Sequence, residues 1–98
     1  MNMQALMQQA QKMQKDLTKK KEELSKKTFT GTSELVDIEV NGDRKVLAVK
    51  FKTDSLDKDD LEVLQDMLVI AFNDAMKQID KENENLLGPY GNQFGGLF

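Results

Sequence analysis

From Met3 to about Lys27 the apolar residues Met3, Leu6, Ala10, Met13, Leu17 and Leu24 recur at alternating three- and four-residue steps. That spacing places them on one side of a helix. Only Lys20 occupies an expected apolar position, and no Gly or Pro interrupts the run. At ~1.5 Å per residue the predicted helix is roughly 35–40 Å long. It outruns what the rest of a small monomer covers, so part of it projects or packs on another chain.

The period then changes to two. Phe29 to Thr32 and the alternating Val36, Ile38 and Val40 are strand-like, and Val46, Val49 and Phe51 follow after Asn41-Gly42-Asp43, which predicts an antiparallel hairpin. A three-residue loop sets Ile38 opposite Val46 and a four-residue loop sets it opposite Leu47, and both keep the apolar side chains on one face. Thr28–Gly31 adds a third, edge strand, with Gly31 marking a bend or bulge.

Asp57 is the expected N-cap of a second helix from about Lys58 to Asn85, with Asp59, Asp60 and Glu62 at the positive end of its dipole. Its main stripe is Leu61, Leu64, Leu68, Ala71, Phe72, Ala75 and Ile79. Val63, Met67 and Ile70 form a second stripe well over 90° away. One small sheet covers one side of such a helix, so the second stripe needs another partner, and a second copy of the chain fits better than the first helix. Residues 1–87 thus read as a single domain. Residues 88–98 hold four of the six glycines and the only proline, the pattern of a flexible Gly-rich tail.

Composition narrows the chemistry. Among 98 residues there is no Cys and no His, which removes disulfides, thiolate and Ser-His-Asp catalysis and the commonest zinc ligand. No phosphate loop, paired-carboxylate motif or HExxH is present. The acidic run Asp54–Glu62 lacks the turn glycine and the spacing of an EF-hand and is better explained by helix capping. The N-terminus lacks the pattern of a signal peptide, and the most apolar run, Met67–Phe72, is too short to span a bilayer. A soluble, cytoplasmic protein without cofactor, metal or small-molecule substrate is expected.

Charge is unevenly spread. Residues 1–27 carry seven lysines and three acids, a balance of +4, whereas residues 28–98 stand at −7, giving −3 in total. Lys12, Lys15, Lys19 and Lys26 share one stripe nearly opposite Leu6, Ala10, Met13 and Leu17. Such an arm can meet phosphate on one side and protein on the other. The same stripe also reads as a plain solvated face, because Asp16–Lys20, Glu22–Lys26 and Glu23–Lys27 are spaced as i,i+4 pairs. No arginine or aromatic is interleaved for base reading or stacking. Met3 and Met13 belong to the seam, and Met7 is either packing or an adaptable surface.

Three blocks carry a resemblance: the opening M-N-M-Q-A-L-M-Q-Q-A-Q-K-M-Q-K-D, the centre V-D-I-E-V-N-G-D-R-K-V-L-A-V-K-F, and D-L-E-V-L-Q-D-M-L-V-I-A-F-N-D-A-M-K. Together, over Met1 to about Leu87, they resemble the YbaB/EbfC family of bacterial nucleoid-associated proteins. The resemblance implies a cytoplasmic, nucleoid-associated homodimer whose helices project like tweezer arms and grip double-stranded DNA. It implies phosphate contacts from Lys12, Lys15, Lys19, Lys20 and Lys21, to which the stripe adds Lys26. A packing role is implied for Ala71, Asn73, Asp74 and Ala75. The chain departs from many relatives in having Gly31-Thr-Ser-Glu-Leu35 where they carry a glycine-rich stretch, and in its aromatic C-terminus.

The combined expectation is an α+β fold with a long N-terminal helix, a three-stranded antiparallel sheet and a long second helix. It is dimeric through Val63, Met67 and Ile70 and binds duplex DNA mainly through phosphates, in nucleoid organisation or broad gene regulation. A prefoldin-like holdase or protein-interaction scaffold is the alternative, expected to expose apolar residues at its helix tips. Carboxylate-based enzyme chemistry ranks third and has no motif.

Overall fold

Asn2 opens the first helix by accepting the Gln4 N–H at Oδ1, 3.1 Å away, the side-chain cap that a short amide provides. In the computed structural model, which describes residues 2–87, α1 then runs over Met3–Lys26. Its 24 residues make a rod of about 36 Å. Strands β1 (Thr28–Thr32), β2 (Val36–Asn41) and β3 (Val46–Phe51) form one antiparallel sheet in that order. A 3-10 turn over Lys58–Asp60 leads into α2, Leu61–Leu87. At that turn the Asp60 carboxylate accepts the Asp57 N–H at 3.0 Å, so acidic capping occurs where the sequence places it. Residues 88–98, the expected tail, lie outside the described residues.

The core lies between α2 and the first two strands. Phe29, Val36, Ile38 and Val40 face Ala71, Ala75 and Ile79, with Leu24, Leu35, Leu64, Met67, Leu68 and Met76 at the margin. Three of the buried side chains, Val36, Val40 and Ile79, are fully enclosed, each stabilising by about 1.5–3 kcal/mol. Closeness is set by small residues. A Cβ on Gly31 would lie 1.9 Å from the Ala71 carbonyl oxygen and 2.6 Å from the Ala75 nitrogen. Gly31 therefore does not mark a bulge; it pairs regularly with Ile38 and lets the helix backbone touch the strand.

The hairpin also differs from the expected registers. Its loop is Gly42-Asp43-Arg44, closed by the Asn41 N–H donating to the Lys45 carbonyl at 2.9 Å. The Asn41 side chain accepts from the N–H groups of Asp43 and Lys45, both at 3.0 Å, which draws Asn41 into the ladder. Val40 then faces Val46, Leu47 is an extra residue, and Ile38 faces Val49 rather than Val46 or Leu47. Arg44 takes the left-handed conformation with φ 68°, a cost offset by its guanidinium, which donates to Asp80 and lies 3.3 Å from the Met76 sulfur. Gly42 is needed for contact, since a Cβ there would sit 1.9 Å from the Leu24 carbonyl oxygen.

α2 is offset toward β1. The Asp74 carboxylate accepts the Thr32 N–H at 2.9 Å and the Gln78 amide donates to the Thr30 carbonyl at 2.8 Å, so this flank wraps the β1 edge. On the opposite flank Met76 borders the core, and Met76 and Asp80 meet the hairpin loop through Arg44. β3 is left open. Val46, Val49 and Phe51 lie on the helix-facing side of the sheet by register, opposite Val40, Ile38 and Val36, yet all three are exposed. Leu61 and Phe72, placed in the main stripe by periodicity, are exposed as well, because the stripe is wider than the two strands beneath it.

Candidate nucleic-acid interface

α1 leaves the body as an arm. Its last turn is fixed at three points: the Lys27 carbonyl accepts the Gly42 N–H at 3.1 Å, the Lys27 ammonium pairs with Glu82 at 2.6 Å, and the same ammonium sits 5.4 Å over the Phe29 ring. Lys20 and Leu24 share a groove with Glu82 and Leu86 near the end of α2. Outward from there the arm accounts for the elongated form, 70 × 21 × 14 Å.

Lys12, Lys15, Lys19 and Lys26 are all exposed and lie on one stripe, spread over about 21 Å of helix axis. Leu17, on the other side, is 8% exposed. Lys20 is exposed but lies beside Leu24, in the groove shared with α2 and not on the stripe. Lys21 is half-buried and lies beside Leu17 and Leu24 on the inner side, its aliphatic stem continuing the apolar seam. The seam therefore runs Leu17–Lys21–Leu24 with Lys20 at its margin, and Lys20 and Lys21 both stand apart from the stripe. Among the described residues, Lys27 pairs with Glu82 across the helices rather than with Glu23 one turn away.

One cation was not among the sequence candidates. Lys45 is exposed on the hairpin that abuts the root of the arm. Nothing in its local sequence marks it, because the proximity arises from the contact of Gly42 with Leu24. An exposed row of ammonium groups without aromatic or guanidinium partners is suited chiefly to phosphate oxygens.

The remaining candidates separate into two places. Met67 is half-buried against the chain's own core, whereas Val63 and Ile70 beside it are exposed. On the opposite flank of α2, Val69 and Phe72 are exposed, as is the helix-facing side of β3, where Phe51 reaches 53%. These make an apolar shelf. The far face of the sheet is polar: Lys50 pairs with Glu39 at 3.0 Å, and Lys52 with Asp37 at 3.3 Å. The Thr32 hydroxyl donates to Asp37 at 2.5 Å, and this bond, with Lys52 and Lys50 nearby, holds the Asp37 carboxyl below its ordinary value of 3.8.

Ala71 and Ala75 are buried against Gly31, Asp74 caps the strand edge, and Asn73 is exposed, so the packing role implied for this block holds for three of its four residues. Among the described residues no group of three acidic, His or Cys side chains is arranged to hold a metal, and no helix is long and apolar enough to cross a membrane.

A family model described as the YbaB/EbfC DNA-binding family matches residues 1–94. A nucleoid-associated protein of Streptococcus thermophilus strain CNRZ 1066 is similar, 48% identical over 92 residues, covering 92% of this chain and 93% of its own. One from Lactococcus lactis subsp. lactis strain IL1403 is 46% identical with the same coverage. One from Ligilactobacillus salivarius strain UCC118 is 38% identical over 99 residues, covering 99% and 95%.

Proposed function

The chain belongs to the YbaB/EbfC DNA-binding family, and from that membership we propose that it binds double-stranded DNA as a homodimer, through phosphate contacts made by the lysines of α1. The observation that carries this reading is the exposed stripe Lys12–Lys15–Lys19–Lys26 on a projecting arm, turned away from the apolar seam. Lys20 lies off the stripe beside Leu24, and Lys45 is a further exposed lysine on the hairpin. Contacts of this type position a protein on the duplex and carry little sequence information. The relatives' names place those proteins at the nucleoid, and the same cytoplasmic, nucleoid-associated role, in DNA organisation or broad regulation, suits a binder of this kind.

For the dimer, the apolar shelf of Val46, Val49 and Phe51 on β3 with Val69 and Phe72 on α2 is the surface we assign to the second copy. Exposed large apolar side chains gathered on one side of a small fold mark interfaces. Val63, Met67 and Ile70, selected by periodicity, lie on the other flank, where Met67 already packs within the chain. A dimer projects two arms and doubles the phosphate contacts.

A mobility-shift titration with mixed-sequence duplex DNA at two salt concentrations tests the reading. Retention at low salt that weakens steeply at higher salt supports it, and no retention at low salt refutes it. One observation favours the second reading, a holdase: Met3 and Met7 near the tip are 74% and 60% exposed. Suppression of client aggregation without DNA retention would establish that alternative.

A further inference from the structure

The two edges of the sheet differ. On β1, backbone groups that point away from β2 are taken up by α2: Asp74 accepts the Thr32 N–H and Gln78 donates to the Thr30 carbonyl. Side chains placed this way obstruct the addition of another strand. Among the described residues the β3 edge carries no such cap. The Lys52 N–H donates to the Leu35 carbonyl at 2.8 Å, which sets the phase of the β2–β3 ladder. Ala48 and Lys50 therefore turn their backbone groups toward Glu39 and Asp37, and Val49 and Phe51 turn theirs outward. Leu47, the extra residue of the bulge, is 51% exposed and by alternation shares the side of the sheet that carries Val49 and Phe51.

An open edge with apolar side chains is a template for another strand. β3 fits a copy of itself, antiparallel about a two-fold axis. The registers that keep most of the strand paired are centred on Ala48, Val49 or Lys50. Centring on Lys50 sets two ammonium groups opposite each other, and centring on Ala48 sets Phe51 opposite Lys45, both poor cross-strand pairs. Centring on Val49 sets Val49 against itself, Phe51 against Leu47 and Lys50 against Ala48. On the far face only the small Ala48, which pairs with Glu39, then stands between Glu39 and Lys50 of the second copy. Opposite charges thus approach across the seam. The axis runs perpendicular to the sheet, so both α2 helices stand on one face, each with the flank of Val69 and Phe72 toward the joined strands.

We propose that two copies join edge to edge through β3, centred on Val49, into one six-stranded antiparallel sheet. The inference rests on the homodimer reading and gives its apolar shelf a backbone pairing and a register. The capped β1 edges then lie at the two ends of the sheet, which closes the assembly at two copies.

The chain has no cysteine, so a single introduced one reports on one contact. In this register the two Val49 Cα atoms lie about 5.5 Å apart, within the roughly 4.4–6.8 Å that a disulfide spans. Val49→Cys should oxidise to a covalent dimer about tenfold or more faster than Val63→Cys on the other flank of α2. Val49→Pro removes an outward N–H and no β2–β3 bond. It should shift light scattering to the monomer mass with circular dichroism unchanged; if it unfolds, the crosslinking comparison decides alone. A dimer in which Val49→Cys crosslinks no faster than Val63→Cys overturns the β3 pairing and leaves the homodimer reading intact. So does a folded Val49→Pro variant that stays dimeric. Lys50→Cys that crosslinks as fast as Val49→Cys overturns the register. An unmodified chain that is monomeric at about tens of micromolar overturns the homodimer reading and this inference with it.

Discussion

Replacing Lys12, Lys15 and Lys19 by Gln removes three of the four stripe lysines without touching the apolar seam. With one phosphate per stripe lysine and two arms, the unmodified dimer neutralises about eight phosphates, so log K falls with log[salt] at a slope of about −7. The variant keeps about two contacts and a slope of about −2. Between about 50 and 200 mM salt the original should lose roughly four orders of magnitude in affinity and the variant about one. Fluorescence-anisotropy titration of a labelled mixed-sequence duplex across that range measures both slopes. Lys21→Gln serves as the internal comparison, since Lys21 lies half-buried on the inner side and its loss should leave the slope near that of the original. A triple variant whose slope matches the unmodified protein refutes the placement of DNA on this stripe, and a large effect of Lys21→Gln refutes the division of the two sides.

Gly31→Ala should destabilise the fold by about 1–3 kcal/mol or more, read as a lower urea midpoint, because its Cβ meets backbone atoms of Ala71 and Ala75 that no rotamer change can move. Phe51→Asp should convert the dimer to monomers in light scattering while Ile70→Lys leaves it intact; the reverse result moves the interface to the Val63–Ile70 flank. Asp37 has its folded-state pKa lowered, chiefly by the Thr32 hydroxyl and the nearby Lys52. Its contribution to stability is therefore fully present above 3.8, its ordinary value, and is lost as pH falls through the lowered one. Asp37→Asn should accordingly be less stable than the original at neutral pH and converge with it in acid, as urea midpoints at the two pH values would record.

The elements themselves were legible from periodicity: α1 begins and ends within a residue of its expected bounds, and Asp57 sits at the start of the turn into α2. Positions that depend on how elements meet were not. Gly31 and Gly42 look like turn or bulge residues in sequence, yet both are required by backbone approaching backbone. Val46, Val49 and Phe51 alternate like core residues, and only the sideways offset of α2 toward β1 leaves them open. The lysine stripe was readable because a lone helix keeps its own geometry. Lys21, implied as a phosphate contact by the resemblance and not by the stripe, is half-buried on the inner side, which counting lysines does not show. Lys45 acquires its place beside the arm from tertiary contact alone.

α1 passes into β1 through Lys27 alone, and Gly42 grips its last turn. A rod mounted with so little slack transmits its rotational setting to the far end. Inserting two residues in mid-arm would turn everything beyond by about 200°, bringing Lys12 and Lys15 round to the inner side. Seven residues would turn it by only about 20° while adding about 10 Å of reach. Viable arm lengths should therefore come in discrete steps of near-whole turns, so that relatives of this chain differ in reach by seven or eleven residues far more readily than by one or two.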